Sequence, residues 1–209
     1  TLTLNSSTGL YEATLTAPSS SSYNNNAGHY FPVAVTVRDE AGNSASADDT
    51  HATLGDSLKL YVKEKIKPTV KIISPTAGAN ITTSSPQIVF ELLDNSNGQT
   101  SGFSGININS LELKVDGVAV NVSKVTHEAI TGGYRVSYTP TLDDGNHNFT
   151  VNIADFDGNT MDSAVSTSFK VDTVPPTLNV SAPVEGEYTN NASYDVKGTT
   201  SDATSSPVT

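Results

Sequence analysis

One stretch of sequence occurs twice in this chain, and this repeat limits the possible folds more than any other feature. Residues 31–43 (FPVAVTVRDEAGN) match residues 147–159 (HNFTVNIADFDGN) at an offset of 116. In both copies alternate residues are apolar, which is the period-two pattern of a strand with one buried and one solvated face. Each copy then runs into Asp-x-x-Gly-Asn, where Asp can bond its own backbone and Gly-Asn can adopt positive φ. The repeat therefore predicts a strand, a turn and a second strand in two places.

A second repeat sets the expected domain boundaries. Residues 68–78 share spaced Pro, Thr and Gly residues with residues 176–186 at an offset of 108. A short proline-containing linker precedes each copy and holds the residue before proline in an extended conformation. We predict a small, atypical or partial β-domain at 1–66, a complete sandwich at 67–175, and the first strands of a third domain at 176–209. The third unit is expected to be cut short, because two strands cannot bury a core.

Short apolar runs alternate with turn signals throughout residues 67–175. The predicted strands are 70–73, 87–93, 111–115, 118–122, 134–138, 149–153 and 166–171. Asp116-Gly117 joins two of these runs and is a two-residue hairpin signal. No stretch shows helical periodicity of useful length. In the first unit we predict strands at 1–4, 10–16, 31–38 and 58–63. These patterns indicate an all-β fold of tandem immunoglobulin-like β-sandwich domains.

Charge and cysteine content exclude several classes of partner. The net charge of −11 disfavours nucleic acid, whose phosphates would be repelled, and disfavours anionic membrane surfaces. The chain has no cysteine, so it can form neither a disulfide framework nor a thiolate metal site. No apolar run approaches the roughly 18 residues of a membrane span, so no membrane insertion is expected. An acidic chain does permit divalent cations.

Several segments resemble bacterial Ig-like repeats. They are residues 111–120 (LELKVDGVAV), 138–145 (YTPTLDDG), 151–159 (VNIADFDGN) and the linker 172–176 (DTVPP). Such repeats occur in tandem in bacterial surface adhesins and in phage or prophage structural proteins. Residues 1–18 and 55–63 resemble the start of prophage-encoded Ig-like proteins of gut Firmicutes, which implies that residue 1 lies near the true N-terminus and that more repeats follow residue 209.

The resemblance implies a location outside the cell, on a bacterial surface or a virion, and a spacer, display or adhesion role. It implies further Ig-like domains of the same chain as neighbours and warrants no specific ligand.

The residues show no arrangement typical of an enzyme. The four histidines are scattered without paired metal spacing. Residues 102–105 (GFSG) are one residue short of a nucleophile elbow, and no helix is predicted after them. There is no phosphate loop or dinucleotide fingerprint. We therefore predict a non-catalytic chain without an organic cofactor.

Calcium is the one inorganic ligand for which the sequence offers sites. In an Ig-like sandwich the turn before the last strand lies at the N-terminal pole, so Asp155 and Asp157 are expected beside the lysine-rich linker 63–67. Three ammonium groups there would compete with a cation. Ordinary ion pairing is therefore favoured over metal binding at that pole.

The opposite pole is more acidic. Asp143 and Asp144 belong to a turn next to Asp172 of the second linker, and Asp202 is expected to face them with only Lys170 nearby. Carboxylate oxygens are the ligands that Ca²⁺ prefers. These four aspartates are the predicted calcium site, with turn-capping in solvent as the alternative.

Residues 94–105 form a loop that is long for a sandwich, and long loops often carry recognition. We predict ligand contacts from Asp94, Asn95, Asn97 and Phe103, to a protein or a cell-surface glycan. A tolerated insertion is the alternative interpretation.

Three functions remain open on the sequence alone. The first is a structural spacer or display module, and the second is a binding module for host glycans or a surface protein. Tyr11, Tyr23 and Tyr30, beside residues 24–26 (NNN), are a further glycan candidate, although packing explains them better. The third is an accessory domain of a secreted enzyme.

Overall fold

The structure is a computed structural model that describes residues 2–95 and 101–204. In chain order the strands are β1 Thr3–Asn5, β2 Leu10–Glu12, β3 Phe31–Pro32, β4 Val35–Arg38, β5 Ser44–Ala47, β6 Lys59–Leu60, β7 Thr69–Ser74, β8 Asn80–Ile81, β9 Ile88–Leu93, β10 Glu112–Val115, β11 Val118–Ala119, β12 Thr126–Ile130, β13 Gly133–Tyr138, β14 Gly145–Asn152, β15 Val165–Val171, β16 Thr177–Ala182 and β17 Lys197–Ser201. Single 3₁₀ turns occur at Gly55–Leu58, Ile108–Ser110 and Val122–Lys124. No helix in the described ranges has the length and apolar character that crossing a bilayer requires.

Strands β7 to β15 form a two-sheet sandwich. One sheet has the order β11-β10-β14-β15-β8, and the other has the order β12-β13-β9-β7. Neighbouring strands are antiparallel except β15 and β8, which run parallel with Lys170 opposite Asn80. Two antiparallel sheets packed face to face are the architecture of immunoglobulin-like domains. The predicted all-β sandwich class is confirmed.

The core of the sandwich comes from the alternating apolar residues of its central strands. In β9 the side chains of Ile88, Phe90 and Leu92 are fully buried, and in β14 so are those of Phe149 and Val151. The rings of Phe90 and Phe149, which belong to different sheets, have centroids 6.4 Å apart. Burying each such side chain contributes roughly 1.5–3 kcal/mol, so these contacts hold the two sheets together.

The predicted Asp116-Gly117 hairpin is present between β10 and β11. Both residues have positive φ, of 50° and 78°, which is the requirement of a type I′ turn. The Asp116 carboxylate also accepts hydrogen bonds from the backbone N–H of Asn148, at 2.8 Å, and from His147 Nδ1, at 2.7 Å. The turn is therefore fastened to the start of β14.

The repeated Asp-x-x-Gly-Asn turn has the same hydrogen bonds in both copies. The N–H of Asn43 donates to Asp39 Oδ1 at 2.8 Å, and the N–H of Asn159 donates to Asp155 Oδ1 at 2.8 Å. The intervening glycine has a φ of 94° in the first copy and 90° in the second. Asp39 is exposed whereas Asp155 is buried, so the same turn forms both at the surface and in the interior of the protein.

The remaining units are less regular than the sandwich. Within the described part of residues 1–66, β1 pairs with β2, β3 with β6, and β4 with β5, as three separate ribbons. The predicted strand 31–38 is thus split in two, because β3 and β4 pair with different partners. Strands β16 and β17 form a single antiparallel ribbon in which Leu178 stays 76% exposed.

Candidate metal centre at the first junction

Three buried carboxylates converge where the first linker meets the sandwich. Glu64 comes from the linker, Asp94 directly follows β9, and Asp155 lies in the turn after β14. One oxygen from each lies within 4.8 Å of the other two, and this is the sole group of three metal-binding side chains so placed in residues 2–95 and 101–204. Their exposed fractions are 8%, 2% and 1% respectively. Buried carboxylates at this spacing form the natural candidate for a metal centre.

Hydrogen bonds fix the linker against the turn that carries Asp155. The N–H of Glu64 donates to Asp157 Oδ2 at 3.0 Å. In return, Asn159 Nδ2 lies 3.1 Å from the carbonyl oxygen of Glu64 and 3.0 Å from its Oε1. The Asp-x-x-Gly-Asn turn therefore positions Asp155 through its own backbone and holds Glu64 beside it.

Asp94 is held from the opposite side. Its N–H donates to the carbonyl oxygen of Gly132 at 2.8 Å, and its Oδ2 accepts from the N–H of Gly105 at 2.6 Å. Its other oxygen, Oδ1, is buried and has no hydrogen-bond partner among the described residues. A buried carboxylate oxygen without a partner is uncommon in a folded protein.

The electrostatics of the cluster are dominated by burial and by its own negative charge. Burial raises the pKa of Glu64 to about 7, against the opposing effect of the Ile66 N–H, and hydrogen bonding to Asp155 raises it further. Burial likewise raises the pKa of Asp94 to about 6, and the charge of Asp155 adds to the rise. Ionised carboxylates are therefore unfavourable here, mainly because they are buried and further because they repel one another, unless a cation or a proton neutralises them.

The lysines of the linker do not supply that neutralisation. Lys63 Nζ donates to the backbone carbonyl of Asp157 at 2.9 Å, and Lys67 pairs with the exposed Asp162. Between described residues, no lysine or arginine lies within ion-pair distance of the Asp155 carboxylate. The expected ion pairing at this pole is wrong for Asp155, because its side chain points into the protein while the lysines stay at the surface.

The second junction brings the predicted calcium ligands together only in part. These are Asp143, Asp144, Asp172 and Asp202. They do not form a group of three with oxygens within 4.8 Å, a criterion that is met only at the first junction in the described chain. Asp144 instead caps the linker, since its Oδ1 accepts from the N–H of Thr173 at 2.8 Å.

A threonine hydroxyl links two of the other carboxylates, those of Asp172 and Asp202. Thr204 Oγ1 donates to Asp172 and lies 3.0 Å from Asp202 Oδ1. Lys170 Nζ lies 3.8 Å from Asp172 Oδ2. Asp144, Asp172 and Asp202 thus accept hydrogen bonds, as the alternative interpretation expects, and calcium binding by the four aspartates stays a prediction.

Part of the loop 94–105 makes contacts within the protein. Asp94 is buried beside Glu64 and Asp155, so it offers a surface ligand little area, and its part in ligand binding stays a prediction. Asn95 and Phe103 are half-buried, and Asn97 lies outside the described residues. The carbonyl of Phe103 accepts from Asn24 Nδ2 at 3.1 Å, so this part of the loop contacts the N-terminal unit.

Aromatic stacking strengthens the same contact. The Tyr23 ring lies between His29, with centroids 4.1 Å apart, and Phe156, with centroids 4.5 Å apart. The Tyr30 hydroxyl donates to Asp49 Oδ2 at 2.8 Å, whereas Tyr11 is 69% exposed in β2. Tyr23 and Tyr30 therefore take part in packing, as favoured from the sequence.

We expect replacement of Tyr23 by Ala to loosen the N-terminal unit from the sandwich. A stacked aromatic pair contributes about 0.5–1.5 kcal/mol beyond the burial of its area. Its loss should raise the population of the opened junction, so protease cleavage within linker residues 63–67 should become several-fold faster. Tyr11→Ala is the matched control, because Tyr11 is exposed. Equal cleavage rates in both variants would show that the stack does not hold the junction.

The sequence contains a signal for this site. Glu64 is the only acidic residue among the lysines of linker 63–67, and the sandwich topology already placed Asp155 at that pole. A carboxylate beside an acidic turn indicates a shared cation or proton, just as the lysines around it indicate ion pairing. Asp94 gives no such signal, because it lies far from the linker in the sequence.

Part of the chain matches a known family. Residues 176–209 match the family described as "Glucodextranase, domain B", which is an Ig-like β-sandwich domain. The match supports an Ig-like character but covers well under half of the chain. No curated protein matches the chain.

Three solved structures show overall similarity. Dimeric latent PorU from Porphyromonas gingivalis has a TM-score of 0.42 and 18% identity over 69% of this chain and 14% of PorU. The CbhA fibronectin(III)-like modules of Clostridium thermocellum have a TM-score of 0.34 and 20% identity over 66% of this chain and 60% of theirs. CopC from Methylosinus trichosporium OB3b has a TM-score of 0.35 and 16% identity over 50% of this chain and 94% of CopC. The chain spans less than two thirds of the first two proteins, and similarity at this level carries no argument about function.

Proposed function

We propose that this chain is a non-catalytic spacer or display segment of a protein exposed on a bacterial cell surface or on a virion. The observation that carries the proposal is that both linkers are fastened by hydrogen bonds to the loops of the sandwich. A spacer must hold its neighbouring units at a fixed angle, and bound linkers do so whereas free linkers do not.

The first linker is bound through Glu64, which exchanges hydrogen bonds with the turn at 155–159. The N-terminal unit adds its own contacts, since the N–H of Ser21 donates to the carbonyl of Gly102 at 2.8 Å. The second linker is bound through Thr173, whose N–H and hydroxyl both donate to Asp144. Each linker is thus held by polar contacts that leave it little freedom.

A non-catalytic role agrees with how the sandwich is filled. Its interior is occupied by apolar side chains such as Phe90, Phe149 and Phe169, and the cluster of buried carboxylates lies at a junction with a neighbouring unit. The net charge of −11 favours solubility in an exposed location and disfavours nucleic acid.

Small-angle X-ray scattering of residues 1–209 tests the spacer function. We expect an elongated particle whose scattering fits one conformation, because the termini of a sandwich lie at opposite poles and both linkers are bound. Asp144→Ala, which removes the cap on Thr173, should broaden the distance distribution, while Glu112→Ala on the exposed face of β10 should not. A wild-type profile typical of freely jointed units would contradict the proposal.

An adhesion module is the second candidate, favoured by the partly exposed Phe103 in the long loop after β9. This function predicts binding to a host glycan or surface protein that disappears when residues 96–100 are deleted. A glycan array with the intact chain and the deletion variant measures it. Equal signals from both variants would remove the loop from consideration.

An accessory domain of a secreted enzyme is the third candidate, favoured by the match of residues 176–209 to glucodextranase domain B. This function predicts a catalytic domain elsewhere in the same reading frame. Sequencing the gene on both sides of the segment tests it, and a reading frame with Ig-like repeats alone would favour the spacer.

A further inference from the structure

We propose that Glu64, Asp94 and Asp155 bind one calcium ion, which fastens the first linker to the sandwich. Two independent observations lead to this site: the convergence of three buried carboxylates, and a buried oxygen of Asp94 that lacks a partner among the described residues. The proposal concerns the first junction alone and does not depend on where the protein is displayed.

The spacing of the carboxylates matches a calcium ion. Their ligand oxygens lie within 4.8 Å of one another. Oxygens bound to Ca²⁺ at about 2.4 Å are separated by at most about 4.8 Å, when they lie on opposite sides of the ion. Mg²⁺ demands near-ideal octahedral geometry and gives up its water reluctantly, so it is held less readily by a site made of protein carboxylates.

The charges at the site also favour a cation. Three carboxylates carry up to three negative charges, and the neighbouring Asp157 adds to the field at Asp94. The nearby lysines are engaged elsewhere, with Lys63 on a backbone carbonyl and Lys67 on Asp162. A bound cation keeps buried like charges ionised by offsetting their repulsion, whereas without it they take up protons as the pH falls.

Asp94 Oδ1 is the buried ligand atom that lacks a partner among the described residues. Asp94 Oδ2 accepts a hydrogen bond from the Gly105 N–H. Asp94 as a residue is 2% exposed, and its Oδ1 atom is buried without a hydrogen-bond partner in the described ranges. A calcium ion would satisfy it, and second carboxylate oxygens and water commonly complete the six to eight ligands of such an ion.

The ion would join three separate parts of the chain. Glu64 belongs to the linker, whereas Asp94 and Asp155 follow β9 and β14, which lie in opposite sheets. Calcium would therefore fix the linker to both sheets at once. The site would stiffen the junction that the hydrogen bonds of Glu64 already define.

Calcium titration of the cation-stripped chain at pH 7.5 tests the proposal, by calorimetry and by thermal melting. We expect one ion per chain with a Kd of about 10⁻⁴ M, as is typical of extracellular modules. At 10 mM Ca²⁺ the Tm should rise by about 5–10 °C, and equal Mg²⁺ should raise it clearly less.

Single variants locate the ion. Asp94→Asn and Glu64→Gln should weaken calcium binding at least ten-fold, and both should fold without calcium because they remove one of the repelling charges. Asp39→Asn is the matched control, since Asp39 occupies the same Asp-x-x-Gly-Asn turn at an exposed position. Asp172→Asn controls for the second junction.

Three results would overturn the proposal. The first is no change in Tm or heat at 10 mM Ca²⁺, which would mean that protons alone neutralise the cluster. The second is equal calcium affinity in Asp94→Asn and wild type. The third is loss of binding in Asp172→Asn instead, which would move the ion to the second junction.

Discussion

Replacing Phe149 by Ala should destabilise the sandwich by about 3–5 kcal/mol, the usual cost of truncating a fully buried aromatic residue. The Phe149 side chain is completely buried in β14. Its ring lies 6.4 Å from that of Phe90 in the opposite sheet and 6.4 Å from that of Phe169 in β15. Truncation removes contacts on both sides and leaves a cavity that rigid strands cannot close.

Urea unfolding followed by circular dichroism measures this loss as a lower midpoint with an unchanged slope. Val118→Ala is the matched control, because Val118 is apolar but 71% exposed in β11. The control should change the free energy of unfolding by less than about 0.5 kcal/mol. Equal effects from the two variants would mean that Phe149 is not at the centre of the core.

The apolar pattern predicted the central strands well, and physical reasons explain where it did not. Strands β9, β14 and β15 alternate more buried with less buried side chains, so their period of two is visible in the sequence. Strand β12 was missed, because its residues are almost all exposed and it is held by pairing with β13 alone. Strand β8 is two residues long and pairs parallel to β15, which leaves no local pattern.

The candidate site was also predicted only in part from the sequence. Topology alone placed Asp155 at the N-terminal pole beside the first linker, and the structure brings it there next to Glu64. The three lysines of the linker favoured ion pairing over metal binding at this pole. A sequence does not show which side chains of an extended linker point inward, so the burial of Glu64 was not predicted. Glu64 is buried while its neighbours Lys63 and Lys65 are exposed, a result of how the linker packs.

In cation-free buffer the chain should become less stable as the pH rises from about 5 to 8. In the folded state the pKa of Glu64 is raised from 4.5 to about 7, mainly by burial, and that of Asp94 is raised from 3.8 to about 6. Both folded pKa values lie above the unfolded values, so the folded chain retains protons that the unfolded chain has released. The resulting stability is present at low pH and is lost through this window.

The expected loss is large for so few groups. A rise of one pKa unit corresponds to about 1.4 kcal/mol, so Glu64 alone accounts for a loss on the order of 3 kcal/mol by pH 8. His147 contributes with the same sign: burial lowers its pKa, but hydrogen bonds to Asp116 and Asp143 outweigh this and raise it above the ordinary value. Stability from His147 is therefore also lost as the pH rises past its folded pKa.

The Glu64→Gln variant separates the contribution of Glu64 to the pH dependence from those of Asp94 and His147. Urea midpoints of cation-stripped protein at pH 5, 6, 7 and 8 should fall steeply for wild type and much less for Glu64→Gln, in which Asp94 and His147 still contribute to the fall. Glu112→Gln, an exposed carboxylate replaced in the same way, should keep the wild-type slope. Calcium at pH 8 should restore the wild-type midpoint but not that of Glu64→Gln, because the ion binds the ionised cluster. A wild-type stability that stays constant or rises over this range would show that the three carboxylates do not share a buried site.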